Sequence, residues 1–387
     1  MPINNYFSAS SESVELVHSG ADYFSRLEHI IQDAKYEIHL QFYIFRNDST
    51  GNKILEELKK AASRRVKIYI LLDGFGSYSF SKEVIVDLKN LGINFRLFSP
   101  FFSANSFYIG RRLHHKVVVA DARVILIGGI NIANKYHGTA SKKPWLDYSV
   151  QVNDLKIAKA LQLLCRDLFF KKRYLFKKKL ESVFNTQEET IVGIIQNDWL
   201  KRKNEIYDAY INSFNSAQKE IIIVGSYFLP GRRMNNALKK AARNKVKIKL
   251  ILSGVSDIPL SRRATYHIYS TLLENNIELY EWNKNVLHGK AAVVDDYWCT
   301  IGSFNLNNLS TYGSLEMNVE IKSPAFSGAY STHLKDVIAQ CQRITPESLK
   351  KRNTVSSGFL NWLSYWTARV ILNVVTYFPH KRFKKIY

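Results

Sequence analysis

Two stretches of the chain carry the same spacing of histidine, lysine, aspartate and asparagine. In each, lysine lies two residues after histidine, four residues separate lysine from aspartate, and six more precede a Gly-x-x-Asn sequence. The first copy has His114, Lys116, Asp121 and Asn131, and the second has His288, Lys290, Asp295 and Asn305. A His-x-Lys pair alone is a weak signal, but two copies of the extended pattern indicate a paired site.

These residue types together suit a phosphodiester substrate. Lysine ammoniums and asparagine amides are fixed donors for phosphate oxygens as negative charge grows on them during attack. One imidazole can attack phosphorus, while the other protonates the leaving alkoxide and then deprotonates an incoming alcohol. The lysines supply the charge that a metal would supply, and no His/Asp/Glu cluster of metal-site spacing lies near the motifs. We therefore predict catalysis through a phosphohistidine without metal or cofactor, with Asn131, Ser303 and Asn305 binding the substrate.

Strands and turns must bring these groups together. Because side chains alternate along a strand, His114 and Lys116 point to one face and His115 points to the other. A tight turn at Asp121 or Asp295 then starts a returning strand, whose end carries the asparagine back beside the histidine. We count both aspartates with the catalytic motifs, and we expect them to stabilise the turns.

Each motif is followed by a carboxylate that could hold an imidazole in one tautomer. Asp147 lies 33 residues after His114, and Glu316 lies 28 residues after His288. Trp145, close to Asp147 in sequence, is expected to shield a neutral His114 from water and preserve its basicity.

The chain as a whole is a duplicated unit. Leu58-Lys-Lys-Ala-Ala precedes a strand-like run from Val66, and Leu238-Lys-Lys-Ala-Ala precedes a similar run from Val246, 180 residues later. Strands alternating with amphipathic helical segments indicate a layered α/β fold. We predict two units related by a pseudo-twofold axis, with one active site between them. The predicted divisions are a first unit at 1–160, a basic linker at 161–194, a second unit at 195–345 and a C-terminal amphipathic membrane-interface segment at 346–387.

The paired motifs resemble those of the phospholipase D superfamily, and the likeness extends over nearly the whole chain. It is closest to bacterial cardiolipin synthases, in the form without two N-terminal membrane helices. The stretches similar to that subfamily are Leu71–Ser77, Leu113–Asn131, Tyr227–Gly231, Leu287–Asn305 and Leu315–Val319. Two positions depart from the family pattern: His115 stands where arginine is common, and Gly129 replaces the serine that Ser303 matches in the second copy.

The resemblance implies a duplicated phospholipase D-like α/β/α sandwich. It implies transfer of a phosphatidyl group from phosphatidylglycerol to a second phosphatidylglycerol, or a similar lipid alcohol, with release of glycerol. It also implies that His114 is the nucleophile, and that His288 protonates the glycerol oxygen and later activates the acceptor. A hydrolytic phospholipase D, a phosphatidylserine synthase and a nuclease of the superfamily share this chemistry. The sequence itself leaves open which histidine is the nucleophile, the balance between transfer and hydrolysis, the acceptor lipid and the oligomeric state.

Charge and aromatic content favour an anionic phospholipid membrane as the partner. The 387 residues carry a formal net charge of +22, which attracts polyanions. A basic aromatic stretch at 169–179 and an apolar aromatic helix at 359–378 with a basic tail suit a membrane interface, although the helix could instead dock on the domain. No run of 18 uncharged apolar residues occurs, and residues 1–10 have no apolar signal core. We expect a peripheral enzyme on the cytoplasmic side of the cell membrane, with reduced cysteines and no nucleic acid partner.

Overall fold

The computed structural model describes residues 6–99, 102–103, 106–107, 111–171, 190–198, 201, 203–352 and 354–377. The strands of the first half are β1 (Tyr6–Ala9), β2 (Val14–His18), β3 (Glu37–Phe42), β4 (Lys67–Asp73), β5 (Asn94–Phe98), β6 (Phe102–Ser103), β7 (Ser106–Phe107), β8 (Arg112–Leu113), β9 (Lys116–Ala120), β10 (Val124–Gly128) and β11 (Tyr148–Val152). Those of the second half are β12 (Thr190–Asp198), β13 (Lys203–Asn204), β14 (Glu220–Gly225), β15 (Lys247–Val255), β16 (Ile277–Val286), β17 (Lys290–Val294), β18 (Trp298–Gly302), β19 (Ser314–Lys322) and β20 (Gln342–Ile344).

Helices cover both sheets. In chain order they are α1 (Ala21–Asp33), α2 (Ser49–Ser63), α3 (Lys82–Asn90), α4 (Asn134–His137), α5 (Leu155–Phe169), α6 (Glu205–Ser216), α7 (Arg232–Arg243), α8 (Pro259–His267), α9 (Tyr269–Glu274), α10 (Asn308–Tyr312), α11 (Pro324–Ala339), α12 (Pro346–Arg352) and α13 (Val355–Tyr377). In the part of the chain that the structure describes, no helix is long and apolar enough to cross a membrane.

The two sheets have the same strand order, which confirms the predicted duplication. Across the first sheet the order is β2-β11-β10-β9-β3-β4-β5. Across the second it is β12-β19-β18-β17-β14-β15-β16, with β1 beside β12 and β20 beside β16. In each sheet the two strands of the catalytic motif are antiparallel neighbours, and three mutually parallel strands follow, which are β3-β4-β5 in the first sheet and β14-β15-β16 in the second. The fold is therefore the predicted α/β architecture with two related units.

The turns of the two motifs are built alike. Asp121 and Ala122 have positive φ angles of 54° and 51°, and Asp295 and Asp296 have 53° and 55°. Two consecutive residues with positive φ make the hairpin turn whose twist matches that of the strands. Each first aspartate also accepts hydrogen bonds from three consecutive backbone N–H groups at the start of the neighbouring strand, at 2.7–2.9 Å.

One hydrophobic core is common to both halves. It contains Val117 and Val150 from the first sheet and Val224 and Val319 from the second, all buried, with α5 and α11 packed at its sides. A second core lies between the first sheet and α1, α2 and α3, and a third lies between the second sheet and α6, α7 and α9. Each sheet is thus covered on both faces, as its continuous runs of buried β-branched residues require.

The predicted divisions of the chain differ from the elements at two places. The boundary at residue 160 falls inside α5, which continues to Phe169, and β1 pairs with β12 of the second sheet. Most of the basic stretch at 169–179 lies outside the described residues, as does the basic tail after residue 377. Helix α13 packs against α8 and α10 of the second half.

Candidate active site

Each motif histidine is held by backbone of the opposite half. Strand β8, which ends next to His114, pairs in parallel with the start of β19, and the N–H of His114 donates to Leu315 O at 2.9 Å. In the reciprocal arrangement, the N–H of His288 donates to Leu146 O at 2.8 Å. Because Leu315 and Leu146 each precede a carboxylate, these bonds bring each histidine beside the acidic residue of the other unit.

The two imidazole–carboxylate pairs are therefore crossed. His114 Nδ1 lies 2.8 Å from Glu316 Oε2, and His288 Nδ1 lies 2.6 Å from Asp147 Oδ2. Both carboxylates are fully buried. The expectation that Asp147 serves His114 was wrong, because the backbone exchange places Asp147 across the pseudo-twofold axis. Trp145 likewise packs on His288, with 5.7 Å between ring centroids, and not on His114.

The two lysines lie in the same buried space as the histidines. Lys116 Nζ donates to His114 O at 2.6 Å, and Lys290 Nζ donates to His288 O and lies 3.0 Å from His288 Nδ1. Burial lowers the pKa of Lys116 to about 7 and that of Lys290 to about 8, with Glu316 and Asp147 opposing the shift. A bound phosphate anion would favour the charged form of both ammoniums.

Burial favours the neutral form of both histidines. Burial lowers the pKa of His114, and it lowers that of His288 well below the ordinary value, with Lys290 adding to the effect. Burial also raises the pKa of Asp147 to about 6. With Nδ1–H donating to a carboxylate, each neutral ring has its lone pair on Nε2, the nitrogen available for attack or proton transfer.

The second imidazole nitrogens have different environments. The hydroxyl of Tyr136 lies 3.4 Å from His288 Nε2 and accepts a hydrogen bond from Asn131 Nδ2 at 2.8 Å. In the described part of the chain, no residue hydrogen-bonds to His114 Nε2. The side chain of His114 is 14% exposed and that of His288 is 7% exposed. The two halves thus supply matched groups in unequal settings.

Asn131 lies beside the site, whereas the contact of Asn305 with a phosphate stays a prediction and Ser303 has another task. The amide oxygen of Asn131 accepts from Ile44 N at 3.0 Å, and that of Asn305 accepts from Ser226 Oγ at 3.1 Å. Because Asn131 Nδ2 already donates to the Tyr136 hydroxyl, one of its two N–H bonds is left for a phosphate. Ser303 donates to Glu316 Oε2 at 2.5 Å and accepts from Met317 N at 3.0 Å. The contacts therefore assign buried Ser303 to positioning Glu316, which corrects the prediction that it binds substrate.

Asp121 and Asp295 lie at the far ends of β9 and β17 from the lysines, within the turns described above. Their contacts assign them to the turns and not to the reacting groups. His115, on the opposite face of its strand, is buried and bonded through Nδ1 to Gln41 Oε1 at 3.0 Å. No group of three or more His, Cys, Asp or Glu side chains among the described residues is arranged to hold a metal ion.

Aromatic side chains that the sequence reasoning missed form walls beside the histidines. The ring of Tyr43 lies 4.9 Å from that of His114, and the ring of Tyr227 lies 6.0 Å from that of His288. The ammonium of the adjacent lysine lies 5.4 Å and 5.8 Å from these two tyrosine rings. The signal was present in the repeat, because each tyrosine follows the end of the equivalent strand, β3 or β14, by one or two residues.

Comparisons with known proteins agree with this architecture. The family described as "Cardiolipin synthase, PLD-like domain" matches residues 27–161 and 210–338. Cardiolipin synthase B of Shigella flexneri is 33% identical over 346 residues, which cover 88% of this chain and 84% of that protein. Minor cardiolipin synthase ClsB of Bacillus subtilis (strain 168) is 29% identical over 350 residues, covering 89% and 86%.

Among solved structures, the crystal structure of phosphatidylserine synthase from Haemophilus influenzae Rd KW20 is similar, with a TM-score of 0.76 and 96% of each chain covered. The sequence identity of that pair is 16%, so the likeness concerns the fold. Both family matches contain one His-x-Lys motif with its Gly-x-x-Asn sequence, and together they take in most of both sheets. The chain therefore belongs to the cardiolipin synthase family with paired phospholipase D-like domains.

Proposed function

We propose that this protein is a cardiolipin synthase that transfers a phosphatidyl group from phosphatidylglycerol to a second phosphatidylglycerol, or a similar lipid alcohol, and releases glycerol. The observation that carries the proposal is the pair of crossed imidazole–carboxylate contacts around two buried ammoniums. This arrangement gives one phosphodiester a nucleophile, a proton donor and two cations without requiring a metal. Family membership supports the lipid substrate.

In the first half-reaction, Nε2 of His114 attacks phosphorus and the bond from phosphorus to the glycerol oxygen breaks. The negative charge of the bound phosphate, added to that of Asp147, favours the imidazolium form of His288, which gives its proton to the departing oxygen. Lys116 and Lys290 stabilise the charge on the equatorial oxygens, and the amides of the asparagines add donors. Glycerol leaves, and the phosphatidyl group remains on His114.

In the second half-reaction, neutral His288 removes the proton from the acceptor hydroxyl. The acceptor oxygen attacks phosphorus, the nitrogen–phosphorus bond breaks, and His114 returns to its neutral form. Water in place of the lipid alcohol would give hydrolysis by the same steps, so the alternative activity as a phospholipase D-like hydrolase differs only in the acceptor. The aromatic walls of Tyr43 and Tyr227 beside the histidines favour an alcohol carried by a lipid over bulk water.

The assignment of His114 as nucleophile rests on the unequal settings of the two rings. A nucleophilic nitrogen needs a free lone pair, and His114 Nε2 has no hydrogen-bond partner among the described residues. His288 Nε2 faces the hydroxyl of Tyr136 at 3.4 Å, which occupies its lone pair and places it in a chain of proton donors. A nitrogen that gains and loses a proton benefits from such a contact, whereas an attacking nitrogen does not.

The partner in this function is an anionic phospholipid membrane, and phosphatidylglycerol is the donor. The net charge of +22 and two cationic side chains in the site fit a negatively charged lipid surface. The protein would act as a peripheral enzyme on the cytoplasmic side of the cell membrane, without a nucleic acid partner.

The test uses the purified chain with detergent-dispersed phosphatidylglycerol in EDTA. We expect cardiolipin and glycerol as products, and loss of turnover in His114→Ala and in His288→Ala with unchanged thermal unfolding. His29→Ala, at an exposed histidine of α1, is the matched control and should keep full activity. Phosphatidic acid as the only lipid product would favour the hydrolase, cleavage of DNA in a parallel reaction would favour a nuclease, and activity restored only by Mg²⁺ or Ca²⁺ would contradict the metal-free mechanism.

A further inference from the structure

Helix α13 has its polar side against the protein and its apolar side in the solvent. Asn361 and Ser364 are 6% and 8% exposed. Trp362 and Val370, on the other side of the helix, are 46% and 56% exposed. The apolar face, α13's exposed face from here on, consists of Phe359, Leu360, Trp362, Leu363, Trp366, Val370, Ile371 and Val374.

This orientation is the reverse of an ordinary surface helix, which buries its apolar stripe and exposes its polar side. The helix is nevertheless docked, because it packs against α8 and α10, and the ring of Tyr365 lies 4.7 Å from that of His267. A contiguous apolar face of this size on a globular protein marks an interaction surface. Since the polar side already has its partner, the exposed face must find one outside the described chain.

The positively charged residues near α13 in the sequence favour an anionic partner. From residue 348 to residue 387 the sequence contains no aspartate or glutamate and has eight lysines and arginines. Lys350 and Lys351, on the helix that precedes α13, are exposed. Cations that precede and follow the helix in the sequence, together with two exposed tryptophans, match the headgroup layer of an anionic bilayer, where tryptophan rings reside and each cation near the surface adds attraction.

Helix α8 connects α13 with a residue near the active site. Helix α8, the packing partner of α13, begins two residues after Asp257, whose carboxylate accepts a hydrogen bond from the Tyr227 hydroxyl at 2.7 Å. Ile258, between Asp257 and α8, and Leu260, within α8, are exposed apolar residues. Helix α8 thus contacts α13 and is adjoined by the residue that hydrogen-bonds the tyrosine beside His288.

We propose that α13's exposed face lies in the interface of an anionic phospholipid bilayer, with the helix parallel to the membrane plane. This inference rests on the proposed lipid substrate, but it concerns a surface outside the catalytic residues. It commits to a bilayer as the occupant, and a second copy of the chain is the alternative that the experiment must distinguish.

The experiment compares the full-length chain with the triple variant Phe359→Ser, Trp362→Ser and Val370→Ser. All three residues are exposed, so the substitutions remove no packing from the described core. A matched control replaces three equally exposed apolar residues of the first half by serine: Tyr36, Val86 and Leu155. Binding is measured by sedimentation with vesicles in which about half of the lipid is phosphatidylglycerol and the rest is phosphatidylcholine. Activity is measured separately on detergent-dispersed phosphatidylglycerol.

We expect the triple variant to lose about 10²-fold in vesicle partitioning, since three apolar side chains no longer enter the interface. The control variant should bind as the wild type does, and all three proteins should have equal activity on dispersed lipid. Unchanged vesicle binding by the triple variant, or a wild-type protein that does not bind vesicles, would overturn the inference. A wild-type dimer that the triple substitution converts to a monomer without loss of vesicle binding would assign the face to a second copy. Vesicle binding without any lipid product would instead refute the proposed function and leave the surface intact.

Discussion

Replacing Glu316 by glutamine tests the crossed pairing directly. The carboxylate accepts from His114 Nδ1 at 2.8 Å and from Ser303 Oγ at 2.5 Å, both through Oε2. The amide oxygen of glutamine can keep both bonds, so the variant removes the negative charge and little else. Its amide nitrogen would take the place of Oε1, which is buried and has no hydrogen-bond partner among the described residues. We expect a loss of stability of about 1–3 kcal/mol from that unsatisfied donor.

The catalytic effect follows from the charge on the intermediate. In the proposed mechanism His114 becomes cationic when its Nε2 is phosphorylated, and the carboxylate beside Nδ1 stabilises that charge. Two unit charges about 4 Å apart interact by about 4 kcal/mol at the effective dielectric of about 20 suited to protein sites. The retained hydrogen bond is expected to preserve up to half of this interaction energy. The activation free energy of phosphoenzyme formation then rises by about 2–4 kcal/mol, which is a rate loss of about 30- to 1,000-fold.

The assay is a single-turnover reaction with labelled phosphatidylglycerol, quenched and analysed for label on the protein. Glu316→Gln should slow mainly the appearance of label. Asp147→Asn, which perturbs His288 in both half-reactions, should slow its disappearance as well and let the labelled protein accumulate. Glu320→Gln is the matched control, because this buried carboxylate on the same strand binds Trp298 and Tyr6 and no catalytic histidine. Label that forms at the wild-type rate in Glu316→Gln, or that accumulates there and not in Asp147→Asn, would refute the crossed assignment of roles.

Three further predictions follow from the site. The plot of kcat/KM against pH should be bell-shaped. The buried lysines, with pKa values of about 7 and 8, lose charge as the pH rises, and Asp147, with a pKa of about 6, gains a proton as the pH falls. A flat profile from pH 5 to pH 9.5 would contradict this prediction. Tyr136→Phe should lower kcat about 3- to 10-fold by removing one hydrogen bond. It should also raise the pKa of His288 in an NMR titration, because the neutral ring loses a hydrogen-bond donor. Gly129→Ala should lower kcat and the unfolding temperature because its Cβ would lie 2.2 Å from Asp147 Oδ1, whereas Gly358→Ala, with no atom within 4 Å, should be neutral or stabilising.

The sequence predicted the duplicated fold and the catalytic strands because those features are local or repeated. The spacing from His114 to Asn131 is set by one strand, one turn and one returning strand, and a repeat at the same spacing implies the same hairpin. The crossed pairing was not predictable in this way, because either carboxylate lies at a plausible distance in sequence from either histidine. Only the parallel contact of β8 with β19, between residues about 200 positions apart, selects the partner.

Other misses have similar causes. Ser303 has the right type to bind phosphate, and only the position of Glu316 shows that its hydroxyl is already used. Tyr136 has no equivalent at the corresponding place in the second motif, where Ser310 stands, so the repeat gives no reason to select it. For α13, the sequence predicted an apolar aromatic helix, but the pattern alone cannot say which side of a helix faces the protein. The inverted orientation depends on packing against α8.

The core common to both sheets has a consequence for the order of events. Close-packed side chains such as Val117 and Val224 join the two halves, so the halves cannot swing apart to admit two lipids together. In the proposed mechanism glycerol then leaves before the second alcohol reacts, and the nitrogen–phosphorus bond must survive the interval. Water and lipid alcohol compete for this bond, and the outcome depends on which is more concentrated beside it. Residence at the bilayer surface, where lipid alcohols are crowded into two dimensions, would by itself direct the same chemistry from hydrolysis to synthesis.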